Sequence, residues 1–185
     1  MSDEHNPDRY GETWPQHKID SYLKVLWLLK PYVVFSGGWA WHFMSPSGHV
    51  ELKHAHDHKD VDLMVPPRTV ATVLGLLSEM GFKKVGTRFD NLPSAEEFRR
   101  YERVEEPEGL APFRITIDFF VKDVPTLVCP GGWLVVNPAT LLTFYKTIHS
   151  SKSCFAVQAA TKILARGESV IGRQELVQVP QGARV

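Results

Sequence analysis

The sequence predicts a single α/β or α+β domain, and three observations point there. Short runs with the two-residue alternation of strands are interleaved with runs of helical periodicity, and the last third is helical in pattern. The chain has 185 residues, 43% hydrophobic and 23% charged, enough to bury a core without disulfide or metal staples. No stretch approaches the roughly 18–20 apolar residues that would span a bilayer. The opening residues are polar, without a basic-then-apolar signal pattern. Cys129 and Cys154 stand far apart with no metal-binding spacing, so a reducing, cytoplasmic setting is expected. Lys plus Arg and Asp plus Glu both number 21, which leaves no whole-molecule field to gather nucleic acid. A small substrate drawn to a local charged cleft suits that balance better, and a nucleic-acid partner is not required.

Residues 1–16 read as a flexible lead, 17–136 as the body of the domain, and 137–185 as C-terminal helices and a tail packed on it. Over 17–29, Ile19, Tyr22, Leu23, Leu26 and Leu29 recur at helical spacing, and Pro31 ends that helix. A β-rich run at 32–35 meets Ser36-Gly37-Gly38, and 39–44 reads as helix. Residues 49–58 read as an exposed, His-rich loop with a partial strand. Residues 61–65 form a strand stopped by Pro66-Pro67. Over 69–80, Val70, Val73, Leu74 and Leu77 share one helical face, and Gly81 caps its end. Residues 82–89 read as a strand, 90–100 as a loop with a short helix, and 101–104 as a further short strand. Residues 113–121 alternate as a strand, and 127–136 form a hairpin interrupted by Pro130-Gly131-Gly132. Asn137 and Pro138 are the cap and first position of a helix to about 149, and a second helix spans about 154–165.

Three features carry chemistry. Ser36-Gly37-Gly38 lies between a strand and a helix, where glycines let backbone approach a ligand and exposed N–H groups favour phosphate. Asp60 and Asp62 are two apart on a strand, so both carboxylates project from one face. Adjacent carboxylates repel unless a cation or proton sits between them, and hard oxygen ligands of this kind suit Mg²⁺. Asp118 falls late in the 113–121 strand, on the face opposite Phe113, Ile115, Ile117 and Phe119, where it needs solvent or a partner. Taken singly, each has a bland reading: a common turn, a solvated strand edge, a strand-end acid facing water.

The order and spacing of the three resemble the nucleotidyltransferase superfamily related to DNA polymerase β. Gly37-Gly38-Trp39-Ala40 followed by His58-Lys59-Asp60-Val61-Asp62-Leu63 looks like the aminoglycoside nucleotidyltransferases of the 2″ type. The resemblance covers residues 32–65 well and 113–121 moderately. It implies a mixed central sheet flanked by helices, with a helical C-terminal segment. It also implies a transferase that moves a nucleoside monophosphate, AMP from ATP or its counterpart from another nucleoside triphosphate, onto a hydroxyl-bearing acceptor. By the resemblance, Asp60 and Asp62 would hold Mg²⁺, two ions in the family. Asp118 would complete a metal site near the incoming hydroxyl and serve as its general base. Ser36, Gly37 and Gly38 would cradle the β- and γ-phosphates. Lys146 would reach a phosphate, with Lys152 as competitor, and His58 would orient a carboxylate rather than bind metal.

Two departures separate the chain from the antibiotic-modifying branch. Trp41-His42 stands where an acid often follows Gly-Gly-Trp, and the segment 151–158 lacks the branch's downstream acid, so a different acceptor is open. Modification of tRNA or protein, and a silent nucleotide-binding regulator, are the other readings; the intact acids argue against the last. His49, His54, His56 and His58 invite a zinc site. Their acid, Asp57, falls one residue early for the nearest zinc-hydrolase pattern, and a solvated His-rich loop is preferred. The aromatics Trp39, Trp41, Trp133 and Phe144 are expected in the core, Trp39 beneath the Gly-Gly turn. Arg99, Arg100 and Arg103 around Tyr101 are expected on a solvated face, with a contact to the acceptor or to phosphate as the other reading.

Overall fold

The structure is a computed structural model that describes residues 15–44, 59–93, 97–147 and positions 157, 161, 164 and 165. It is a mixed α/β arrangement: one seven-stranded mixed sheet with helices packed on it. The strands are β1 (Val34–Phe35), β2 (Val61–Val65), β3 (Lys83–Val85), β4 (Phe98–Glu105), β5 (Phe113–Val121), β6 (Thr126–Cys129) and β7 (Trp133–Val136). Their order across the sheet is β3-β4-β5-β2-β1-β7-β6. The helices are α1 (Gln16–Leu29), α2 (Gly37–Met44), α3 (Val70–Glu79) and α4 (Pro138–Thr147). Among the described residues no helix is long and apolar enough to cross a membrane.

The core follows from strand alternation. Val61, Leu63 and Val65 of β2 and Ile115, Ile117 and Phe119 of β5 are all fully buried, and β2 and β5 pair in parallel, so these six side chains make one apolar face. Ile19, Leu23 and Leu26 of α1 and Val73 and Leu77 of α3 belong to the same core cluster. Around β1 and β7 the packing is aromatic. Phe43 of α2 stacks on Trp133 at 4.0 Å between ring centroids, and Phe35 meets both edge-on at 5.1 and 5.3 Å. Cys129 closes the hairpin of β6 and β7 and is 1% exposed; burial pushes its thiol up to about 12. The thiolate is the reactive form, so Cys129 should stay unalkylated by iodoacetamide at pH 8 in the folded protein and react once it is unfolded. Peptide mapping by mass spectrometry checks this.

Most of the expected elements stand where the sequence placed them. α4 opens as read, with the Ala139 N–H donating to the Asn137 carboxamide oxygen at 3.0 Å. Pro31 sits in a 3₁₀ turn, Lys30–Tyr32, that ends α1. The strand expected over 82–89 is shorter: β3 stops at Val85, because beyond Gly86 the Asp90 carboxylate accepts the Thr87 N–H and folds the chain into turns. The loop expected over 90–100 also needs correction at its end. Phe98, Arg99 and Arg100 already belong to β4, which pairs with β5 along its whole length. Positions 94–96 lie outside the described residues, and 90–93 are turns rather than helix. Of the lead expected at 1–16, residues 1–14 lie outside and Gln16 already opens α1. Residues 45–58, with the expected His-rich loop at 49–58, and most of the second C-terminal helix also lie outside, while Thr161 donates its hydroxyl to the Val157 carbonyl at 2.7 Å, a helical spacing.

The basic cluster does not form a plain solvated face. Arg103 lays its guanidinium over Phe82 at 4.9 Å and donates to the Met80 carbonyl at 2.8 Å, while Arg99 sits 5.6 Å over Phe119. Their long aliphatic stems cover the apolar sheet while the charged heads find partners at its margin.

Candidate functional site

The chain leaves β1 at Phe35 and turns straight into α2. Ser36 extends the antiparallel pairing of β1 with β2 by donating its N–H to the Asp62 carbonyl at 2.8 Å. Its own carbonyl accepts the Ala40 N–H at 3.2 Å, which starts the helix. Between them Gly37 has φ +57°, a conformation L side chains rarely adopt. A β-carbon there would fall within the van der Waals envelope of the Asp62 carboxylate and 3.1 Å from its Cγ. The glycine is therefore needed twice, for its backbone and for its missing side chain. The expected close approach of this turn is made to Asp62 itself.

Asp62 and Asp118 are direct partners in the parallel register of β2 and β5. Paired residues project from the same face, so both carboxylates stand on the side opposite the apolar core. Asp60, expected on the same strand, lies instead in the bend just before β2, from where its charge acts on Arg100. Asp60 and Asp62 are half-buried, and Asp118 is 6% exposed, which removes the reading of a strand-end acid facing water. Its partner is Arg100, directly across the β4–β5 ladder. Arg100 Nε donates to Asp118 Oδ1 and Arg100 Nη2 to Asp118 Oδ2, each at 2.6 Å, a two-pronged charge-assisted pair. This pairing pushes the guanidinium pKa up against the opposing effect of burial, and the charges of Asp118, Asp60 and Glu102 add to it. One row of charged groups thus runs across three adjacent strands: Asp62, Asp118, Arg100.

Tyr22 fixes this row from behind. It is fully buried in α1, and its hydroxyl lies 3.0 Å from the Lys59 carbonyl and 3.2 Å from the Arg114 carbonyl, while accepting the Thr116 N–H at 3.3 Å. Its ring stacks on Trp39 of α2 at 5.5 Å, which places Trp39 beneath the Gly-Gly turn as expected. One side chain therefore ties the residue before Asp60, the strand carrying Asp118 and the helix after Gly37. Tyr22→Phe keeps the stack but strands these backbone groups, and should destabilise the protein by about 1–2 kcal/mol in urea unfolding.

Trp41 and Trp133 are core residues as expected, and Phe144 is half-buried with Lys122 Nζ 5.9 Å from its ring. Lys146 is exposed near the end of α4 and makes no hydrogen bond or ion pair among the described residues. His58 and Lys152 lie outside the described residues. Among the described residues no three His, Cys, Asp or Glu side chains gather as a metal-binding group. The pairing of Arg100 with Asp118 and the role of the Tyr22 hydroxyl were not visible in the sequence, although for the pairing one signal was available. The β4–β5 hairpin is symmetric about Gly109, and Arg100 and Asp118 each stand nine residues from it.

No protein-family profile and no curated protein matches the chain. Among solved structures it is similar to the crystal structure of the Megavirus polyadenylate synthase, at 13% identity and a TM-score of 0.45, over 84% of this chain. The chain spans 35% of the length of that protein.

Proposed function

We propose that the chain is a Mg²⁺-dependent nucleotidyltransferase, of the superfamily related to DNA polymerase β, that moves a nucleoside monophosphate onto a hydroxyl of a small molecule. The observation that carries this reading is the Gly37 turn closed on Asp62, with Asp118 in register beside it and Asp60 in the bend just before β2. Asp60, in the bend that enters β2, and Asp62, within β2, offer the oxygen donors a hard divalent cation takes, and Tyr22 pins the chain beside them at the Lys59 carbonyl. When bound there, Mg²⁺ supplies positive charge to the triphosphate as charge builds on its oxygens. The Ser36 N–H is taken by Asp62, so Ser36 brings its hydroxyl to the phosphates while Gly37 and Gly38 bring backbone N–H groups.

In the transfer, the acceptor oxygen forms a bond to the α-phosphorus and the bond from that phosphorus to the bridging oxygen breaks. Pyrophosphate leaves with the electron pair, and the hydroxyl proton passes to Asp118 or to water. ATP is the first nucleotide to try and an aminoglycoside-like polyol the first acceptor. Lys146 or Lys152 reaches a phosphate, and His58 orients a carboxylate.

The test incubates the protein with each α-labelled nucleoside triphosphate, Mg²⁺ and separate panels of aminoglycosides and other polyols, tRNA, and protein. Label is expected on a small molecule with release of pyrophosphate. Asp60→Asn and Asp62→Asn should each lower the rate at least about a thousandfold with the circular dichroism spectrum unchanged. Wild-type rates in both variants would remove the metal assignment, and label on tRNA or protein alone would replace the acceptor class.

A further inference from the structure

The charged row that crosses β2, β5 and β4 has an aromatic neighbour on its own face of the sheet. Phe98 pairs with Phe120 across the β4–β5 ladder, two residues along each strand from the Arg100–Asp118 pair. A two-residue step returns to the same face, so both rings lie beside that pair, about 7 Å further along the strands. They are half-buried and tilted against each other, with ring centroids 4.9 Å apart. Phe89 meets Phe98 edge-on at 5.5 Å from the turns after β3, where Phe89 and Leu92 are 40% and 48% exposed. Among the described residues Phe120 packs against the main core, while Phe89 and Phe98 stand outside that cluster. The three rings form a shelf that runs from the core to the water boundary, directly beside the Asp118–Arg100 pair.

The shelf lies at one end of the row. Across the sheet from β1, which leads into the Gly37 turn, come β2 with Asp62, β5 with Asp118 and β4 with Arg100. At the usual strand spacing Phe98 is about 14 Å across the sheet from that turn, on the far side of Asp118. We propose that Phe98, Phe120 and Phe89 form the acceptor subsite, and that the acceptor carries a flat aromatic ring with its hydroxyl on a short carbon arm. This rests on the nucleotidyltransferase reading, with the phosphates at the Gly37 turn and the incoming hydroxyl at Asp118, and it narrows the acceptor class. A ring stacked on Phe98 and Phe120 covers apolar surface that water now meets, and its arm returns the hydroxyl to Asp118. The hydroxyl oxygen then bonds to the α-phosphorus as pyrophosphate leaves, and its proton passes to Asp118 or to water. Arg88 holds its guanidinium 4.8 Å over the Phe89 ring, so the rim of the shelf is cationic. That rim favours an electron-rich ring over the polyamine of an aminoglycoside.

Saturation-transfer NMR titrations of the full chain, with and without Mg²⁺ and a non-hydrolysable ATP analogue, compare naphthylmethanol with its fully hydrogenated counterpart. The wild type should bind the aromatic alcohol at least about fivefold more tightly. Phe98→Leu should erase that preference. Phe89→Leu, a change at an exposed ring that the fold tolerates, should reduce it at least about twofold. With α-labelled ATP the aromatic alcohol should be the better acceptor of the two, by a ratio that falls in both variants. Equal binding of the two alcohols, or an aromatic preference that survives in both variants, would overturn the subsite while leaving the transferase reading in place. Displacement of naphthylmethanol by the ATP analogue would give the shelf to the nucleobase and overturn the acceptor role. Binding as expected, with no pyrophosphate released for any acceptor, would overturn the transferase reading and the acceptor role with it.

Discussion

Gly37→Ala is expected to abolish the proposed nucleotidyl transfer and to lower stability by roughly 2–4 kcal/mol, a fall in Tm of about 5–15 °C. Two independent penalties act together. Holding alanine at φ +57° costs about 1–2 kcal/mol on its own. The new methyl group would also overlap the Asp62 carboxylate, so either Asp62 swings away or α2 backs off. The first displaces a proposed cation ligand; the second withdraws the N–H groups proposed to hold phosphate. Relaxation of the helix is constrained, because every residue from Gly37 to Met44 is buried and Trp39 is stacked on Tyr22. Gly38→Ala is the comparison for the backbone penalty, since Gly38 is not among the positive-φ glycines and should be spared that part of the loss. Thermal unfolding by circular dichroism reads the stability, and release of pyrophosphate reads the activity. Wild-type Tm and activity in Gly37→Ala would mean that the close approach to Asp62 is not needed.

What could be read from the sequence divides along physical lines. β2 and β5 were legible because both faces of each strand show in the alternation, and α3 because its apolar positions recur at helical spacing. Asp62 and Asp118 were legible for the same reason, each on a strand whose alternation sets its face, while Asp60 lies in the bend before β2, where the two-residue step no longer fixes its direction. The start of β4 was hidden by its chemistry. Phe98-Arg99-Arg100 reads as a charged loop, yet Arg99 lies over Phe119 and Arg100 is held by Asp118, so tertiary partners make a strand out of residues that alone would favour solvent. Tyr22 was recognised as one apolar position among five on α1, while its hydroxyl acts on backbone atoms far along the chain. Periodicity identifies the face a residue occupies; it carries no information on the partner met across that face. The register that sets Asp62 beside Asp118 and Asp118 beside Arg100 belongs to that second kind of fact, and it separates a row of interacting charges from three scattered acids.

Arg100→Ala gives the largest stability effect expected of a single side-chain truncation at this site, a loss of about 2–4 kcal/mol in urea unfolding. Removing one partner of a buried ion pair leaves the other uncompensated, and Asp118 is 6% exposed with Asp62 beside it. Arg100 is about a third exposed, so water can partly replace it and the effect should fall short of the full value for a sealed pair. The double variant Arg100→Ala/Asp118→Asn separates the pair from its parts. With the carboxylate neutralised, the double variant should be more stable than Arg100→Ala alone, and the two substitutions should be non-additive by at least about 1 kcal/mol. Additive effects would mean that the pairing contributes nothing specific. Adding Mg²⁺ to Arg100→Ala offers a further comparison: a cation drawn to the vacated charge should recover part of the lost Tm, and the wild type, whose Asp118 is already engaged, should gain less.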